Sequence, residues 1–106
     1  MKIDPSDEKR IKELVEVCKK HQGEHLDAHH GSGSWATTYS NFFINAAAEM
    51  FVIYEKNGSY WPIGALSRRF QEAGVRSCRG SVMTSGRVEY LYKTHLKIRI
   101  DDYRKS

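Results

Sequence analysis

Apolar positions along this chain fall into two rhythms, a helical one through most of its length and an alternating one near its end. Ile11, Leu14, Val15 and Cys18 recur at helical spacing and predict a first helix. Asp4 is a suitable cap for it, Pro5 suits its first position, and Asp7, Glu8, Lys19 and Lys20 complement the macrodipole. Gly23 is the expected C-cap. A second helix is expected from about Thr38 to Lys56, with Thr38 or Ser40 as cap and Asn57–Gly58 as its end. Its apolar residues, Phe42 through Tyr54, spread almost all the way round, which predicts the buried central helix. Pro62 begins a short third helix whose inner stripe is Ile63, Leu66, Phe70 and Ala73, with Gly74 ending it. Arg68 and Arg69 fall off that stripe and are expected to face outward. Residues 76–95 admit two readings: a helix from Ser81 or Thr84 to Lys93, which is preferred, or a hairpin turning at Ser85–Gly86. In residues 96–100, LKIRI, Leu96, Ile98 and Ile100 alternate with Lys97 and Arg99, the pattern of a half-buried strand. The tail DDYRKS is polar and expected to fray.

Together these elements predict an α+β, mostly α fold. They make one domain: an extra N-terminal helix (1–30), a linker (31–37) and a compact core (38–101). GSGSW, residues 31–35, has the composition of a flexible linker, of the kind an engineered joint uses. A chain of 106 residues is one domain by size. No apolar run approaches the ~18 residues a membrane span needs. The N-terminal MKIDPSDEKR does not read as a signal peptide. Cys18 and Cys78 then read as reduced thiols of an intracellular protein, cytoplasmic or nuclear, with a single disulfide as the alternative.

Charge changes the picture. The formal net charge is +4, but residues 1–67 carry seven Lys or Arg against nine Asp or Glu. Residues 68–106 carry ten Lys or Arg against four acids, and seven of the ten are Arg. A basic half is the expected footprint of nucleic-acid binding, because cations that neutralise phosphates release condensed counterions. Arg adds a planar fork suited to phosphates and base edges. The competing reading is a basic face that meets an acidic protein partner.

Four histidines and a cysteine crowd CKKHQGEHLDAHH, residues 18–30. If the first helix continues past Gly23, Cys18, His21, His25 and His29 fall within roughly 80° of one another at about 100° per residue. That set could hold zinc, or serve a metal-dependent enzyme. HLDAH is not HExxH, and no P-loop, GxGxxG or GxSxG is present, so the expectation is a non-catalytic protein.

The order of elements in the second half resembles a winged-helix or helix-turn-helix module. NGSYWPIGALSRRFQEAGV followed by RGSVMTSGRVEYLYKTHLKIRI looks somewhat like LOTUS domains, the small winged-helix modules of RNA-associated proteins. The matching positions are Gly58, Trp61, Ile63, Leu66, Phe70, Gly80, Leu91 and Ile98. The resemblance implies a small winged-helix-like domain that binds DNA, RNA or a partner protein. In that arrangement Ser81, Thr84, Ser85 and Arg87 would meet base edges. Arg76, Arg79, Lys97 and Arg99 would grip phosphate, with Arg68, Arg69 and Lys93 on the same basic half. Tyr60, Tyr90 and Tyr92 could stack bases of a single strand.

Overall fold

A computed structural model describes residues 2–27 and 39–104, which are mostly helical. The elements are α1 (Pro5–Asp27), α2 (Asn41–Lys56), α3 (Pro62–Ala73), α4 (Ser85–Leu91), a π-helical turn (Tyr92–Leu96) and α5 (Lys97–Arg104). The linker at 31–37 lies outside the described residues.

The start of α1 follows the sequence. The Asp4 side chain accepts from the Ser6 backbone N–H at 2.9 Å, and the Asp4 carbonyl accepts the first helical bond, from Glu8 N at 2.8 Å. The helix does not stop at Gly23 but runs on to Asp27. Glycine costs about 1 kcal/mol against alanine in a helix interior, which a helix of 23 residues tolerates. Ile11, Leu14, Val15 and Cys18 are buried, as their spacing predicts.

α2 is the central element. Ser40 caps it, its hydroxyl accepting from Phe43 N at 3.2 Å, and ten of its residues from Phe43 to Tyr54 are buried. α1 lies antiparallel against it. The Asp4 N–H donates to Asn57 Oδ1 at 2.9 Å at one end, and Cys18 Sγ reaches the Phe43 carbonyl at 4.0 Å nearer the other. Asn57 Nδ2 also donates to Asp7 Oδ2 at 3.0 Å, so one amide ties the two helix ends together. Between them the Arg10 guanidinium grips Glu49 in bidentate fashion, at 2.6 and 2.9 Å.

α3 starts at Pro62 and ends at Gly74, whose φ of 77° is the left-handed C-cap conformation. It buries Leu66, Ser67 and Phe70. Ser67 is fixed because its hydroxyl donates to the Met83 carbonyl at 2.8 Å, and Gln71 Nε2 donates to the same carbonyl at 3.2 Å. These bonds dock the segment before α4 onto α3. That segment, residues 74–84, folds back on itself. Arg76 and Val82 form an antiparallel bridge, and Gly80 N–H donates to the Ser77 carbonyl at 2.9 Å to close a turn. The buried Ser77 hydroxyl accepts from the Arg79 and Ser81 backbone N–H groups at 3.2 and 3.0 Å. Thr84 then caps α4, accepting from Arg87 N at 3.3 Å. The helix reading of this region is therefore right, and the hairpin at Ser85–Gly86 does not form.

The strand expected at 96–100 is helix instead. Leu96 and Ile100 are buried, while Ile98 is 78% exposed. Residues four apart share a helix face and also share a strand face. Only Ile98 distinguishes the two, and it points to solvent. The Arg76–Val82 bridge is thus the only pairing of extended chain among the described residues, and the β part of the expected α+β fold reduces to it. The π-helical turn has a cause in the same pattern. Val88 and Leu91 set the inner face of α4, and the next fully buried residue is Leu96, five positions on. An α-helix would bring His95 inward; the Lys97 N–H donates to the Tyr92 carbonyl instead, and the extra residue rotates Leu96 into the core. The tail is not frayed through residue 104. Tyr103 packs against the core, and Arg104 makes a bidentate pair with Glu55 at 3.1 and 2.8 Å.

Cys18 and Cys78 are both free. No helix among the described residues is long and apolar enough to cross a membrane.

Candidate nucleic-acid interface

The basic residues of the second half divide into two groups. Arg69 does not face outward: its Nε donates to the Tyr54 hydroxyl at 3.2 Å, and its Nη2 meets Glu8 at 2.6 Å. Arg99 also turns inward, donating to Asn45 Oδ1 at 2.7 Å and Asn41 Oδ1 at 3.0 Å on α2. Both hold helices together. Each cation there found a polar partner across a helix interface, which net charge along a sequence does not reveal. Lys93 forms a surface i,i+4 pair with Glu89 at 2.9 Å. Lys97 is exposed on α5.

The remaining cations cluster around the start of α4. Arg79 projects from the turn at Ser77–Gly80, whose left-handed Gly80 (φ 82°) is what lets the chain reverse there. Arg76 precedes that turn and is exposed. Arg87 sits on the first turn of α4, its Nη1 donating to the Val82 carbonyl at 3.3 Å and Thr84 Oγ1 at 3.5 Å. The guanidinium is thereby preorganised at the mouth of the turn. Of the small polar residues expected to read bases, Thr84 is engaged as the cap, Ser85 opens the helix, and Ser81 lies partly buried in the turn.

Between this turn and α4 lies a cleft of about 320 Å³. Arg79, Arg87 and Tyr90 line its rim, with Tyr39, Cys78 and His95 deeper. Its described lining contains no carboxylate. Tyr90 is 68% exposed. Burial pushes the Tyr39 phenol up to about 12, with Cys78 beside it adding to the shift. Burial also raises the Cys78 thiol, against the opposing pull of Arg79. His95 is lowered, first by burial and then by the nearby Arg99 charge. All three therefore favour their neutral forms near pH 7, and the positive field of the cleft comes from its arginines. Such a cleft can hold an anion and lay a planar group against Tyr90.

The three tyrosines considered for stacking separate cleanly. Tyr92 packs on Phe51 at a ring distance of 5.1 Å, whereas Tyr90 and Tyr60 are exposed. Tyr39 and His95 were not foreseen as cleft residues. Tyr39 follows a stretch that reads as linker, and His95 reaches the cleft only because the π-helical turn displaces it from the core.

Of the zinc set, Cys18 lies in the core, where burial alone pushes its thiol up to about 12. Zinc binds the thiolate, which that environment disfavours. His21 stacks on Phe42 with ring centroids 4.4 Å apart. The backbone at position 25 is helical, as the expected register requires, while His29 lies outside the described residues. No group of three or more His, Cys, Asp or Glu that could hold a metal occurs among the described residues.

Comparison with protein-family models, curated proteins and solved structures finds no match for this chain.

Proposed function

We propose that this chain is a non-catalytic nucleic-acid-binding domain, a winged-helix-like variant that engages DNA or RNA through the 76–82 turn and the start of α4. The observation that carries the proposal is the cleft lined by Arg79, Arg87 and the exposed Tyr90, with no carboxylate in its described lining. Phosphate contacts supply most of the affinity in such interfaces, and Arg is the residue best shaped for them. α3 and α4 form the helix pair of the module. Their connection, residues 74–84, is far longer than the ~3–4-residue turn of a helix-turn-helix. The added length carries Arg76 and Arg79, so the turn becomes part of the binding face. The reading implies an intracellular protein with access to nucleic acid.

The test is fluorescence anisotropy with labelled single- and double-stranded DNA and RNA over a salt series. Log K should fall with log salt by about 0.7 per phosphate contacted for a single strand and about 0.9 for a duplex. Arg79→Glu combined with Arg87→Glu should lower the affinity and reduce that slope by roughly 1.4–1.8. A double variant that keeps its circular dichroism, affinity and slope refutes the proposal. Absence of binding at low salt by the native protein refutes it too, and turns the basic face toward an acidic protein.

A further inference from the structure

Trp61 is the least explained large side chain in the fold. It stands at the N-cap position of α3, makes no side-chain capping bond, and is 52% exposed. Tyr60 beside it is 99% exposed. The indole is nevertheless held in place. A Cβ built on Gly64 would lie 2.3 Å from its Cε3 and 2.6 Å from its Cζ3, so the ring rests directly on the α3 backbone. Gly64 is not among the glycines with positive φ. Its lack of a side chain therefore serves the ring above it, not the backbone. One indole face is seated and the other is presented to solvent.

The surroundings give this platform a charge. Arg68, one helical turn after Gly64, is exposed and makes no ion pair among the described residues. It lines both hollows that flank Trp61. One, of about 280 Å³, also includes Tyr60 and Ser59; the other, of about 490 Å³, extends past the exposed Glu72 on its α3 side to Thr84 and Ser85. Gly86 and Arg87, the next residues of α4, line the Arg79–Tyr90 cleft. The surface therefore runs from Trp61 and Arg68 across the start of α4 to Arg87, Arg79 and Tyr90. An exposed aromatic stands at each end with three arginines between, a combination suited to unpaired nucleotides, bases on rings and phosphates on arginines. A duplex keeps its base faces stacked internally and has none to offer a flat indole.

Building on the nucleic-acid reading above, we infer that the ligand is single-stranded and that Trp61, seated on Gly64, stacks one of its bases while Arg68 contacts the adjoining phosphate.

The test uses the full chain with fluorescein-labelled oligo(dT) and oligo(rU) of about ten nucleotides, and a hairpin duplex as reference. Trp61→Ala should weaken single-strand binding by about 5- to 150-fold and leave duplex binding unchanged. Trp61→Phe, which keeps a ring, should recover most of the loss. In a Trp35→Phe background, where Trp61 is the sole tryptophan, oligo(dT) should quench its emission, and a backbone of abasic sites should not. Salt-dependent binding that Arg79→Glu abolishes but Trp61→Ala leaves intact overturns the stacking platform while the nucleic-acid reading stands. Absence of any salt-dependent binding overturns both. A shift from dimer to monomer on Trp61→Ala, measured by sedimentation without ligand, overturns the platform in favour of self-association.

Discussion

Replacing Gly64 by alanine separates two effects that normally go together. Alanine is favoured over glycine by about 1 kcal/mol in a helix interior, an upper bound at Gly64, the third residue of α3. At this position the added Cβ would stand 2.3, 2.6 and 2.8 Å from Cε3, Cζ3 and Cδ2 of Trp61. Carbon atoms rest at about 3.5–4.0 Å, so the indole must lift by roughly an ångström or swing away. The covered half of the ring amounts to about 100 Å², worth about 2.5 kcal/mol at ~25 cal/mol per Å². Displacing the ring forfeits part of that, about 1–2 kcal/mol. In the native background Gly64→Ala should therefore be neutral or destabilising by up to about 2 kcal/mol. With Trp61→Ala already present, no ring remains to clash, and the same substitution should be neutral or stabilise by up to about 1 kcal/mol. Urea denaturation of the four proteins gives the cycle directly. The expected coupling of about 1–2 kcal/mol exceeds the ~0.3–0.5 kcal/mol scatter of additive pairs. An equal gain from Gly64→Ala in both backgrounds would show that the indole is not seated on α3, and would remove the basis for a fixed stacking platform.

Two further outcomes test the fold and the cleft. Ile100→Ala should cost about 2–5 kcal/mol and Ile98→Ala no more than about 0.5; similar costs at both positions in urea melts would favour the alternating strand over α5. Because the folded pKa of His95 is lowered, the unfolded chain binds more protons below the ordinary histidine value. Its contribution to stability is complete above about pH 6.5 and is lost as pH falls from there toward the lowered folded value. The urea midpoint should drop across that window, and less so in His95→Gln; an unchanged pH dependence in the variant would show that His95 is not desolvated.

What the sequence revealed and what it hid have physical causes. Caps and end signals act locally, so Asp4, Ser40, Pro62 and Gly74 marked helix boundaries that formed as expected. Gly23 failed as an end because one glycine is a small penalty within a long helix. The LKIRI stretch misled because Leu96 and Ile100 satisfy both periods, and the deciding residue, Ile98, is apolar although exposed. The five-residue step from Leu91 to Leu96 was visible, but it reads as a break in rhythm until a π-helical turn is admitted. The site was half legible. An excess of arginine is compositional, whereas the partner each arginine finds depends on which helices touch. Trp61 was legible only as a position of the family resemblance; its seat on Gly64 needs the turn of α3 that puts position 64 beneath it.

The arginines show why net charge locates a basic region and not a site. Arg10, Arg69, Arg99 and Arg104 each reach α1 or α2, where Glu49, Glu8, the two asparagines Asn41 and Asn45, and Glu55 receive them. Partly exposed pairs of this kind contribute about 0–1 kcal/mol each, but their fork geometry fixes where a helix lies. That use consumes the guanidinium, since a fork bound to a carboxylate or amide has few donors left for a phosphate. Arg68, Arg79 and Arg87 lie on the other side of α3 and α4, and no carboxylate forms an ion pair with any of them among the described residues. Their desolvation upon meeting phosphate displaces water and counterions and breaks no protein ion pair. It is that difference in what must be given up, more than the number of positive charges, that favours the α3–α4 face in the proposed binding of an anionic strand.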